Sequence, residues 1–155
     1  MSTAKITNDQ QFREALNKLG LADQRSLGAQ FVSSVSQLCS HAAIDQGLQV
    51  LENRDKSTNE LETAYHNAKS LAVEKYTACG RDADWAAQAE HFVASALAAC
   101  LLPGDQVNAQ ENLAWKAAMQ SRMARNCEMI MNDRGEVDNE AARQYAITTR
   151  FLEHS

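Results

Sequence analysis

A chain of 155 residues is expected to form one domain, residues 1–155, with enough buried surface to fold without metals or disulfide staples. Its single proline and six glycines force few helix ends, and its β-branched residues are too scattered for strands, so a β-rich fold is excluded. A net charge of -5 without a cluster of Lys and Arg among aromatics excludes the electrostatic footprint of a nucleic-acid binder, and the longest apolar run, FVASALAACLL, falls short of the ~20 residues that span a bilayer.

The polar amino terminus MSTAKITNDQQ lacks the apolar stretch of a secretory signal, so a cytoplasmic protein is expected. Asn8 and Asp9 are placed to open a short helix carrying Phe12, Ala15 and Leu16, closed by Lys18 and a left-handed Gly20. The face Leu27, Phe31, Val35, Leu38, Ala42, Ile44, Leu48 and Leu51 then predicts one long helix, with a bend expected at Gly28 or Gly47. Ser57 and Glu60 form the S-x-x-E pattern of a capping box. They start a third helix with the stripe Leu61, Tyr65, Ala68, Ala72 and Tyr76, ended by Gly80.

The fourth helix is the one the others are organised around. Asp82 or Asp84 caps it, Pro103-Gly104 ends it, and Trp85, Ala89, Phe92, Ala96 and Cys100 recur at helical spacing as its core face. Its other positions are also small or apolar, so neighbours are expected on more than one flank. A fifth helix is predicted from about Val107 to Met131, with the stripe Trp115, Met119, Met123, Cys127 and Ile130. A last helix, capped by Asp138, carries Ala141, Tyr145, Ile147, Phe151 and Leu152. The expected fold is therefore all-α: a single-domain up-and-down helical bundle of about five long helices plus a short N-terminal helix. Its four cysteines, Cys39, Cys79, Cys100 and Cys127, lie far apart in helical contexts and are expected to be reduced core thiols.

Three histidines, His41, His66 and His91, recur about every 25 residues, the repeat of a helix plus its connection. Near mid-helix they are the ligands a metal would take. His66 lies with Glu62 and Ser70, and His91 with Gln88 and Ser95, on stripes displaced from the core faces, so solvated or hydrogen-bonded histidines and no metal are expected. Gly135, Val137 and Asp138 match part of a calcium loop, but the same alignment puts Ile130, Arg134 and Ala141 at ligand positions, and the pattern fails. No nucleophile elbow, phosphate loop, dinucleotide fingerprint or C-x-x-C pair is present, and no cofactor is expected. Trp85, Trp115, Phe92 and the methionines are read first as packed core, with an apolar interhelical pocket as the alternative.

From Gln30 to about Arg134 the chain reads FVSSVSQLCSHA, then GLQVLENRDKSTNELETAYHNA, then ADWAAQAEHFVASALAAC and NLAWKAAMQSRMA. In composition and order this resembles the alanine-rich, all-helical immunity proteins of bacterial polymorphic toxin systems and related Ala/Trp-rich helical domains. The resemblance implies a non-enzymatic protein that binds and neutralises a partner toxin, and it assigns no site residues. The rival expectation is a helical-bundle enzyme or a small-ligand or metal-binding protein with an interhelical pocket.

Asp133, Glu136, Asp138 and Glu140 crowd one interhelical turn with only Arg134 opposing them. Capping and the helix dipole account for Asp138 and Glu140 but not for the other two. These four residues are the expected contact surface for a basic partner protein.

Overall fold

The computed structural model describes residues 5–53, 55–79, 84–132 and 139–154. Over these residues the chain is a helical bundle of α1 (Asp9–Asn17), α2 (Leu21–Val35), α3 (Ala42–Glu52), α4 (Thr58–Cys79), α5 (Trp85–Leu101), α6 (Leu113–Asn132) and α7 (Glu140–Glu153), with no strand among them. No helix among the described residues is long and apolar enough to cross a membrane.

Most of the expected helix starts are built as the sequence indicates. Asn8 accepts from the Gln11 amide at 2.9 Å, Ser57 from Glu60 at 3.1 Å and Asp84 from Ala87 at 3.1 Å. Each satisfies an amide that the first helical turn leaves without a partner. Asp82 and Gly80 lie outside the described residues. Gly20 differs from expectation: its φ is -71°, and it serves as the N-cap of α2 instead of a left-handed end for α1.

The single long second helix is corrected to two, which raises the helix count to seven among the described residues. The break falls at Ser36–Leu38, a turn of 3-10 helix, and His41 starts α3 by accepting from the Ala43 amide through Nδ1 at 3.1 Å. The break lies in the serine-rich run SSVSQLCS, a residue type that competes for backbone groups; the Ser36 hydroxyl donates to the Ser33 carbonyl at 3.0 Å. Gly28 and Gly47 stay inside unbroken helices, where they let α2 and α3 approach α5.

α5 packs against α2, α3, α4 and α6. Ala89, Ala96 and Cys100 of its expected face are buried, but Trp85 and Phe92 are half-buried, and Val93, Ala94 and Leu97 fill the centre instead. Arg25 of α2 reaches the end of α5 and donates to the carbonyls of Cys100 at 2.6 Å and Leu102 at 2.7 Å. A guanidinium thus occupies the partially negative end of the helix, where terminal carbonyls otherwise lack donors.

A second cluster forms around Phe12 of α1, which is fully buried. Its ring lies 5.7 Å from Phe31, 5.8 Å from Trp115 and 5.4 Å from Tyr145, so the short first helix ties α2, α6 and α7 together.

The start and face of α6 and the cap of α7 also differ from expectation. α6 begins at Leu113, not Val107, because the Asn112 side chain caps it by accepting from Trp115 at 3.0 Å. Its buried face runs through Leu113, Ala114, Ala117, Ala118, Ser121 and Ala124, whereas Met123 and Ile130 of the expected stripe are exposed. In α7 the N-cap is Asn139, accepting from Ala142 at 3.0 Å; the expected Tyr145, Ile147 and Phe151 pack half-buried against the second cluster, and the buried positions are the polar Glu140, Gln144 and Thr148.

Candidate binding groove

α5 separates α4 from α6, which make little contact with each other. On the side of α5 away from α2 and α3, Ser95, Ala98 and Ala99 are too short to fill the space between the flanking helices. The result is a groove of about 540 Å³, within the size range of small-molecule sites. Tyr65, Lys69, Val73 and Tyr76 form the α4 wall, at the three- and four-residue spacing that puts side chains on one helical face. Lys116 and Gln120 form the α6 wall. Val73 and Tyr76 are 58% and 65% exposed, far more than a packed helix face leaves to residues of this kind.

The polar groups of the groove fall into two sets. Lys116 is already neutralised by Glu111 at 2.8 Å, and the Nδ1 of His91 lies 2.7 Å from the Ala72 carbonyl. A carbonyl only accepts, so Nδ1 carries the hydrogen and holds the imidazole between α5 and α4, with Tyr76 at 5.4 Å and Phe92 at 5.1 Å. The second set is uncommitted. Lys69 donates to the Tyr65 hydroxyl at 3.3 Å and lies over its ring at 5.5 Å, but meets no carboxylate among the described residues. The side chains of Ser95 and Gln120 make no hydrogen bond among the described residues.

Among the described residues, those singled out in the sequence are not brought together. His41 caps α3, His66 is exposed on α4, and His91 lies in the groove; among the described residues no group of His, Cys, Asp and Glu is arranged to hold a metal. Asp133, Glu136 and Asp138, with the failed calcium loop around them, lie outside the described residues. Glu140, expected on an acidic surface, is instead 4% exposed and bonded to Ser34, Arg125 and Arg143. Arg125 needs a buried counter-charge, and the first turn of α7 brings Glu140 to it.

Cys39, Cys100 and Cys127 are buried and in no disulfide. Burial, with the Glu90 carboxylate adding to it, pushes the Cys39 thiol up to about 11, and burial pushes that of Cys100 up to about 12. Neither is a nucleophile at neutral pH.

Comparison with protein-family models, with curated proteins and with solved structures finds no match. The functional reading therefore rests on the groove. Sequence reasoning missed Lys69, Val73 and Gln120 and treated Ala98 and Ala99 as flank packing. The signal present was the His91 and Ser95 stripe displaced from the core, which marks a face of α5 that no helix among the described residues covers.

Proposed function

We propose that this protein is a non-enzymatic binding protein and that the groove over α5 is its working surface. The observation that carries the reading is an apolar groove, walled by exposed Val73 and Tyr76, in which Lys69 has no carboxylate partner among the described residues. Catalysis asks for polar side chains converging on a reacting atom. Here the buried polar side chains, Arg25, Ser121, Arg125, Glu128, Glu140, Gln144 and Thr148, are bonded within the fold, and none lines the groove.

Two forms of the proposal differ in the occupant. The partner-protein form, with an immunity-type role in the cytoplasm, draws on the sequence resemblance and on the expected single domain, with the partner seated in the groove in place of the acidic turn. The small-ligand form draws on the volume and chemistry of the groove. Both are tested by filling it. Ala99→Trp places an indole on the groove floor, and anilinonaphthalene sulfonate, an apolar anion, is the probe. Its fluorescence is expected to rise with the unmodified protein and fail to rise with the variant, the helical circular dichroism signal being unchanged. A probe that ignores the unmodified protein, or binds both equally, sinks the reading.

A further inference from the structure

We infer that the groove receives an amphiphilic carboxylate, a medium-length apolar chain carrying one anionic head, with the head at Lys69. The inference rests on the groove being the working surface.

Length and polarity argue for the chain. Tyr65 to Tyr76 covers eleven helical steps, a trough roughly 16 Å long at about 1.5 Å per residue. Its floor of Ala98 and Ala99 and its rim of Val73 and the Tyr76 ring offer apolar surface along that length. An elongated apolar chain covers such a trough, whereas a compact polar metabolite leaves the rim in water.

Charge places the head. The residues lining the groove include two lysines, Lys69 and Lys116, and no carboxylate. Lys116 is spoken for by Glu111 at 2.8 Å. Lys69 is not, and the Tyr65 hydroxyl that accepts from it at 3.3 Å keeps its own hydrogen to donate. With the Gln120 amide on the opposite wall, these donors answer the several acceptor sites of a carboxylate. A cationic head meets only repulsion at Lys69. A neutral head leaves the ammonium unpaired.

The probes are dodecanoate and dodecylammonium, each below its micelle concentration, titrated calorimetrically and followed by amide NMR shifts. Dodecanoate is expected to shift the amides of Ala72, Ala98 and Ala99 and to bind roughly fivefold or more tightly than dodecylammonium, the ratio one partly exposed ion pair supplies. Lys69→Glu, at an exposed position, is expected to reverse the order. Equal affinities, an order unchanged by Lys69→Glu, or binding of an acidic amphipathic peptide but neither amphiphile overturns the inference. Ala99→Trp separates the two failures: if it removes binding of both amphiphiles while they bind equally, the groove stands as the surface and only the carboxylate preference falls. If dodecanoate binds Ala99→Trp unchanged, the groove itself is wrong.

Discussion

Gly47 of α3 stands so close to Leu97 of α5 that an added Cβ would meet its Cδ2 at 2.6 Å and its Cγ and Cδ1 at 3.1 Å. Leu97 is fully buried in the main core, so it has no free volume to move into. Alanine is favoured over glycine in a helix by about 1 kcal/mol, but overpacking costs about 1 to 3 kcal/mol. Gly47→Ala is therefore expected to destabilise by about 1 kcal/mol in urea unfolding. In a Leu97→Ala background the clash is gone, and the same substitution should become neutral or stabilising. Equal effects in both backgrounds would show that close approach is not why glycine sits there.

Asp9 joins α1 to α6 and α7 by accepting from Arg122 at 2.8 and 3.0 Å and from the Tyr145 hydroxyl at 2.7 Å. The Arg122 hydrogen bonds, opposed by burial and aided by Tyr145, hold its carboxyl below the ordinary range. A value lower in the folded than in the unfolded chain contributes stability above the unfolded value of about 3.9, lost as pH falls through the folded value. The Asp9 side chain is 50% exposed, so the contribution is about 1 kcal/mol or less. Asp9→Asn is expected to lower Tm at neutral pH, with the gap to the unmodified protein closing below about pH 4. A gap that stays constant into that acid range would remove Asp9 as the titrating group.

Thiol chemistry separates packed cysteines from exposed ones. With Cys39 raised to about 11 and Cys100 to about 12, both by burial first, almost no thiolate exists at neutral pH and neither sulfur meets solvent freely. Brief iodoacetamide treatment of the folded protein, followed by peptide mapping, should leave both unmodified and label them after denaturation. Rapid labelling of Cys100 without unfolding contradicts its burial against Gly28, where an added Cβ would meet the Cys100 Sγ at 2.6 Å.

The all-α class, the caps at Asn8, Ser57 and Asp84, and the central role of α5 were legible because capping chemistry and apolar periodicity act within one or two turns. The split of α2 from α3 was missed because glycines were weighed as breakers, while the Ser36 hydroxyl bonds the Ser33 carbonyl at a point the apolar stripe runs straight through. The phase of α6 was missed because its interior contact is made by alanines and the buried Ser121 and Arg125, which carry little periodic signal. The groove was illegible for another reason. It is defined by what does not cover Ser95, Ala98 and Ala99, and which helix fails to cover a face is set by tertiary packing.

Glu140 is the residue on which the expectation of an acidic surface can be tested most directly. Its Oε1 accepts from the Ser34 hydroxyl at 2.7 Å, and its Oε2 accepts from Arg125 at 3.4 Å and from Arg143. Arg125 also reaches the Ser34 carbonyl at 3.0 Å and Glu128 at 3.5 Å, so α2, α6 and α7 meet on one buried set of charges. Removing one member leaves a desolvated guanidinium short of counter-charge, and Glu140→Ala is expected to cost about 2 to 4 kcal/mol. Glu140→Gln keeps the shape and one acceptor and should cost less. A solvated surface glutamate instead gives a change within about 0.5 kcal/mol for either substitution. Urea unfolding of the two variants decides between them: losses ordered Ala above Gln place Glu140 in the interior, and two negligible losses return it to the surface.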